Sequence, residues 1–162
     1  MFRRALTPTA LLILTAATAA VATPALKKSP AWLSIESPVN PYDQATRGAA
    51  MLVHASSRGG VTQVRDLSGS AEGLVAGTRH TVALRFDSTS KPDVYAVRRQ
   101  WPEAGTWLLR ITLGGTTAIV SLDESGAVTG VRIPMGPQSG GEFPRAVTAR
   151  EIDSTLTRAG KR

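Results

Sequence analysis

The side chains that could bind a soft metal ion are few in this chain of 162 residues. Without cysteine, the candidates are His54, His80, Met51 and Met135. A copper site needs imidazole or thioether donors that converge on one point. Met51 and His54 are three residues apart on a predicted strand, so alternation places them on opposite faces unless the strand is bulged. We expect no metal site here, and copper handling is kept only as an alternative function.

Patterns that indicate catalysis are also missing. No G-x-S-x-G sequence is present, and the lack of cysteine removes thiol chemistry. The carboxylates that a glycosidase would need fall mostly in predicted turns, where they favour turn formation and hydration. The glycine pairs at 114–115 and 140–141 are not followed by Lys-Ser or Lys-Thr, so they do not indicate phosphate loops. We expect neither catalytic residues nor a cofactor.

Five side chains are candidates for contact with a partner: Tyr42, Trp101, Arg85, Arg98 and Arg110. Tyr42 lies in a proline-containing loop and is either exposed or packed against the end of the domain. Trp101 precedes a proline at a turn, so we expect it to be partly exposed, or else to plug the domain end. The three arginines fall on the less apolar faces of predicted strands. We expect them to form one outward stripe, which either meets an acidic partner or is simply solvated.

The elements that must position these residues are strands. Turn-forming residues interrupt the chain about every ten residues, as in β-sandwiches and barrels. No helical period is sustained between residues 31 and 134. The predicted strands are 32–36, 48–55, 61–67, 70–75, 79–86, 94–99, 106–113, 117–122 and 127–133. We predict an all-β, immunoglobulin-like antiparallel β-sandwich.

Alternation along three of these strands predicts the core. Each strand has one face of bulky apolar residues and one face that carries an arginine. Phe86, Tyr95 and Trp107 lie on the apolar faces, so we expect them to share a core. Their burial would stabilise the fold by roughly 1.5–3 kcal/mol each, which a sandwich without disulfides needs.

The stretch from Tyr95 to Trp107 also resembles a known family. A tyrosine on one strand, a Trp-Pro turn with Ala-Gly, and Gly-Thr-Trp opening the next strand resemble the penultimate hairpin of YtkA-like extracytoplasmic domains. Tyr95, Gly105 and Trp107 carry the resemblance, which is clearest over residues 79–113 and looser over 32–133. It implies a small immunoglobulin-like sandwich. Some such sandwiches are associated with copper or with membrane assemblies, but function does not follow from fold.

The N-terminal residues predict export. Arg3 and Arg4 precede an apolar run over residues 10–22 that ends in Ala20-Val21-Ala22, which is the pattern of a secretory signal peptide. The run is shorter than the roughly 20 residues of a spanning helix, so we expect cleavage and no membrane span afterwards. The protein would then be extracytoplasmic, either periplasmic or secreted.

The predicted organisation follows from composition. We expect a signal peptide over 1–22, a disordered lead over 23–30 and the sandwich over 31–134. Residues 135–162 are predicted to be a flexible linker and a tail, in which 147–159 can form a short helix that either docks or stays disordered.

The net charge of +7 does not indicate nucleic acid, because the chain is predicted to be exported and its basic residues are scattered. We expect an exported, non-enzymatic binding or accessory module of the cell envelope, whose partner is an envelope protein or an anionic surface. The alternative is a periplasmic copper-handling protein.

Overall fold

The computed structural model describes residues 31–56, 64–138 and 141–160, which form two antiparallel sheets packed against each other, a separate two-stranded hairpin and one α-helix. The four-stranded sheet has the order β1-β2-β6-β5, with β1 (Trp32–Glu36), β2 (Ala49–Ser56), β6 (Val94–Arg98) and β5 (Asp87–Ser88). The five-stranded sheet has the order β4-β3-β7-β8-β9, with β4 (Thr78–Ala83), β3 (Leu67–Val75), β7 (Thr106–Leu113), β8 (Thr116–Leu122) and β9 (Val128–Arg132).

This strand order is that of an immunoglobulin sandwich. In that fold, strands A, B, E and D form one sheet, while C, F and G form the other. Here β1, β2, β6 and β5 correspond to the first set, and β3, β7 and β8 to the second. The strands β4 and β9 extend the second sheet at its two edges. The predicted fold class is therefore confirmed.

The core lies between the sheets and follows the predicted alternation. Tyr95 on β6 and Trp107 on β7 are both buried in it, and Phe86 packs against it from the connection between β4 and β5. Leu108, the neighbour of Trp107, points to the opposite side and belongs to a separate apolar cluster. The prediction of a shared aromatic core is thus confirmed.

Trp107 is held from two directions. Its cross-strand partner on β3 is Gly73, and a side chain at that position would overlap the indole ring. Its Nε1 donates a hydrogen bond to the Ala104 carbonyl at 2.8 Å. Gly105, which follows Ala104, has a φ of 99°, a conformation that glycine adopts without strain. The glycines thus allow the bulky ring to lie flat within the sandwich.

The C-terminal segment forms the helix α1 (Ala149–Ala159), which docks on the outer face of the five-stranded sheet. Thr148 and Glu151 form a capping box that satisfies backbone donors at the helix start. Ile152 and Leu156 are buried against Leu108 and Ile119 of the sheet. Of the two outcomes predicted for this segment, docking is the one observed.

Three stretches differ from the prediction. A strand was predicted over 61–67, but Val64–Asp66 is a 3-10 helix and β3 begins at Leu67, while residues 61–63 lie outside the described residues. The strand predicted over 79–86 ends at Ala83, because the Gln100 side chain bonds the backbone of Arg85 in place of a neighbouring strand.

The third stretch was predicted to be a flexible linker. It forms a two-stranded hairpin of β10 (Met135–Gln138) and β11 (Gly141–Pro144). The predicted signal peptide and the lead over 23–30 lie outside the described residues. Within the described ranges, no helix is both long and apolar enough to cross a bilayer.

Candidate functional site

The loop over residues 37–48, between β1 and β2, is built by its own short polar side chains. Asn40 accepts a hydrogen bond from the Tyr42 backbone at 3.0 Å, and Asp43 accepts one from the Ala45 backbone at 3.0 Å. Such Asx turns give a loop a defined course without strand pairing. The backbone that carries Tyr42 is therefore ordered by specific bonds.

The inner side of this loop packs on the sandwich. Val39 lies against an apolar cluster of Leu52, Val94 and Ala96 on the outer face of the four-stranded sheet. Thr46 is buried, and its carbonyl accepts a hydrogen bond from the Ala49 backbone at 3.0 Å. The loop is anchored at these points and directs other side chains outward.

Tyr42 is the most exposed large apolar side chain among the described residues, at 90% of its accessible surface. Of the two outcomes predicted for it, exposure is observed and packing against the domain end is not. A phenol ring held by an ordered loop but contacting little of its own chain is available to a partner.

Trp32 is a second exposed aromatic, at 67%, and the sequence reasoning did not select it as a site residue. It opens the edge strand β1 on the same side as Ser34 and Glu36, whereas Leu33 on the other side is buried. The sequence therefore already indicated its exposure, because alternation places this tryptophan on the same face as a serine and a glutamate. We call the outer surface of the four-stranded sheet, with Trp32 and the Tyr42 loop, the aromatic face.

The two histidines lie in different sheets, His54 on β2 and His80 on β4. His54 Nε2 lies 2.8 Å from Glu36 Oε2 on the aromatic face, while Met51 is buried in the core on the other side of β2. This separation is the one that alternation predicts. His80 is exposed on β4. In the part of the chain that the structure describes, no three His, Asp or Glu side chains converge as metal ligands.

The predicted arginine stripe is wrong, because the three residues belong to different surfaces. Arg98 is on β6 of the four-stranded sheet, where its guanidinium pairs with Asp87. Arg110 is on β7 of the five-stranded sheet. Arg85 lies in the connection between β4 and β5. Strands that are close in sequence are placed in opposite sheets by the immunoglobulin order, which separates their outward faces.

Trp101 was expected to be partly exposed, but only 4% of its surface is accessible and it lies in the main core. Arg99 holds the surrounding loop in place, since its guanidinium donates to the carbonyls of Trp101, Pro102 and Ser125. These bonds tie the loop after β6 to the β8–β9 turn and fold the indole inward. Its Nε1 is buried without a hydrogen-bond partner among the described residues. Of the two outcomes predicted for Trp101, burial at the domain end is therefore the one observed.

The polar network around Glu72 was not foreseen. Glu72, on β3, is 5% exposed and accepts hydrogen bonds from Ser70 at 2.7 Å, Thr81 at 2.8 Å and Arg79 at 3.2 Å. Arg79 also pairs with Asp153 of α1. The network thus links the sheet to the docked helix.

Burial alone would raise the pKa of the Glu72 carboxyl. The hydrogen bonds from Ser70, Thr81 and Arg79, together with the positive charge of Arg79, outweigh it and hold that pKa below its usual value. The carboxylate is therefore ionised at neutral pH, and it has the partners that a buried charge requires. Its role in the structure is to support the helix.

No family model, curated protein or solved structure matches the chain. The resemblance to YtkA-like domains therefore stays a prediction.

Proposed function

We propose that this chain is an extracytoplasmic, non-enzymatic binding or accessory module that contacts an envelope protein through the aromatic face. The observation that carries the proposal is the 90% exposure of Tyr42 on a loop ordered by Asn40, Asp43 and Val39. The predicted signal peptide supports the location, and the YtkA-like resemblance agrees with both the location and the sandwich.

The chemistry of tyrosine favours contact with another protein. Tyrosine buries a large amphipathic surface at low cost in side-chain entropy and is enriched in binding hot spots. A loop that is already ordered loses little further freedom on binding. Trp32 adds a second aromatic on the same sheet. An anionic surface is less well matched, because Arg98 and His54 on the four-stranded sheet already pair with Asp87 and Glu36.

The alternative of copper handling gains no support from the described residues. Met51 is enclosed by the core, and His54 is engaged with a carboxylate instead of a soft donor. A copper titration of the purified protein nevertheless separates the two proposals. Stoichiometric binding that is lost in His54→Ala or His80→Ala would replace the binding-module proposal.

The test uses affinity capture from the native envelope, followed by titration of the captured protein. Tyr42→Ala is compared with wild type and with Val131→Ala, which removes an exposed apolar side chain on β9. We expect Tyr42→Ala to weaken binding of the purified partner about ten-fold or more, and Val131→Ala to leave it unchanged. Equal binding by all three proteins would refute the role of the aromatic face.

A further inference from the structure

A cleft of about 520 Å³ opens between the C-terminal half of α1 and the β8–β9 hairpin, away from the aromatic face. Its volume falls within the roughly 300–1,000 Å³ of small-molecule sites. Side chains of both signs line it, namely Arg132 and Arg158 against Asp123 and Glu124. We call it the helix–hairpin cleft.

The bonds of these four charged side chains to the protein are local, within the hairpin turn or within the helix. None of them forms an ion pair with another described residue. Arg158 donates only its Nε, to the Ser154 carbonyl within the helix. The charged ends of Arg132 and Arg158 are therefore available to a ligand in the cleft.

Asp123 is set in position by the hairpin turn. Its Oδ1 accepts hydrogen bonds from the Ser125 hydroxyl at 2.6 Å and the Ala127 backbone at 2.9 Å. These bonds, the Ser125 hydroxyl foremost, hold the pKa of the carboxyl below its usual value, so it is ionised at neutral pH.

The cleft has a positive pole at Arg132 and a negative pole at Asp123, and the two are separated along the hairpin. Arg132 is opposite Ile119 on β8, and Asp123 follows that residue by four positions. At roughly 3.3 Å per strand residue, the two backbones are ~13 Å apart along the strand direction. Thr106, Ser121, Thr129 and Thr155 also line the cleft, and the hydroxyls of Thr129 and Thr155, which donate to the Ser121 and Glu151 carbonyls, can still accept a hydrogen bond.

From this arrangement we infer that the helix–hairpin cleft binds a short peptide of two or three residues with free termini. An anion would meet Asp123 and Glu124, and a cation would meet Arg132 and Arg158, so the complementary ligand carries both charges. An extended tripeptide spans at most about 10 Å, which fits between the poles once the side chains reach inward. The surrounding hydroxyls suit the polar groups of the peptide backbone.

The test is a titration of the isotope-labelled protein with triglycine, followed by amide chemical shifts. We expect saturable shifts at Thr129, Arg132, Thr155 and Arg158. N-acetyl-triglycine lacks the ammonium and triglycine amide lacks the carboxylate, so each should bind about ten-fold more weakly or worse. Glucose, which offers hydroxyls without charge, should shift none of these amides.

Variants show whether the cleft itself is responsible. Arg132→Ala and Arg158→Ala should each weaken triglycine binding about ten-fold, while Arg150→Ala, an exposed arginine on α1 outside the cleft, should not. Amide shifts that are unaffected by blocking either terminus, an equal effect of Arg150→Ala, binding of glucose in its place, or no shift with triglycine would each overturn the inference.

Discussion

The two outer faces of this sandwich differ in what covers their apolar side chains. The five-stranded sheet presents Leu108 and Ile119, which the helix α1 covers with Ile152 and Leu156. The four-stranded sheet presents the apolar cluster of Leu52, Val94 and Ala96, on which, within the described part of the chain, a loop packs through Val39. The first face has a capped helix and a buried carboxylate, whereas the second exposes two aromatic rings.

This difference separates what stabilises the molecule from what it can offer to a partner. Apolar side chains buried by α1 contribute to the free energy of unfolding, because they leave water when the chain folds. Tyr42 and Trp32 remain in contact with water, so they contribute little. Variants on the helix side should therefore change stability, while variants on the aromatic face should change binding.

The largest effect is expected from Leu156→Ala on the helix side. Leu156 is almost fully buried, so its truncation leaves a cavity and should lower the free energy of unfolding by about 2–5 kcal/mol. Urea denaturation measures this change. Thr157 is the next residue and lies on the exposed side of α1. Thr157→Ala should therefore change the free energy of unfolding by no more than about 0.5 kcal/mol. Equal unfolding midpoints for both variants would mean that the helix adds nothing to stability.

A smaller effect is expected from Glu72→Gln at the base of the same helix. The change removes the charge that accepts from Arg79, and it should cost about 1.5–3 kcal/mol at pH 7. Because the folded-state pKa of Glu72 is lowered, the ionised carboxylate stabilises the fold above its unfolded pKa of about 4.3. This contribution is lost as pH falls through the folded pKa.

The pH dependence gives the sharper measurement for Glu72. The stability difference between wild type and Glu72→Gln should be constant between about pH 6 and 8 and should shrink below about pH 4. Glu124→Gln, an exposed carboxylate in the β8–β9 turn, is the matched control and should show almost no difference at any pH. A gap between wild type and Glu72→Gln that persists unchanged into acid would contradict an ionic role for Glu72.

The alternation of side chains was sufficient to predict which residues form the core, but not which outward-facing residues share a surface. The period of two in β6 and β7 places Tyr95 and Trp107 inward whichever sheet each strand joins. It carries no information about the sheet itself, so Arg98 and Arg110 could not be assigned to opposite sides. Trp101 was misjudged because its burial depends on Arg99 reaching Ser125, a contact between distant parts of the chain.

The two arginines offer a direct test of that separation. Arg110→Glu places a carboxylate near Glu72, whose Oε1 lies 3.8 Å from Arg110 Nη2, and should cost about 1 kcal/mol. Arg98→Glu faces only the exposed Asp87 and should cost about 0.2 kcal/mol. In 1 M salt, where the Debye length is about 3 Å, much of the gap should close. Equal losses for the two variants would favour a single shared surface.

Tyr42→Ala on the aromatic face is expected to leave stability nearly unchanged. The ring contacts little of its own chain, so the free energy of unfolding should stay within about 0.5 kcal/mol of the wild-type value. Partner binding should nevertheless fall about ten-fold or more, as at other aromatic hot spots.

Val39→Ala then tests whether order in the loop matters apart from the ring. This variant keeps Tyr42 but loosens the packing of the loop on Leu52, Val94 and Ala96. We expect faster hydrogen exchange at the Tyr42 amide, which bonds to Asn40, and weaker partner binding with the tyrosine intact. Faster exchange with unchanged binding would mean that the ring alone suffices. A loss of stability in Tyr42→Ala as large as in Leu156→Ala would mean that the aromatic face is part of the folded core's support, and that the two faces are alike.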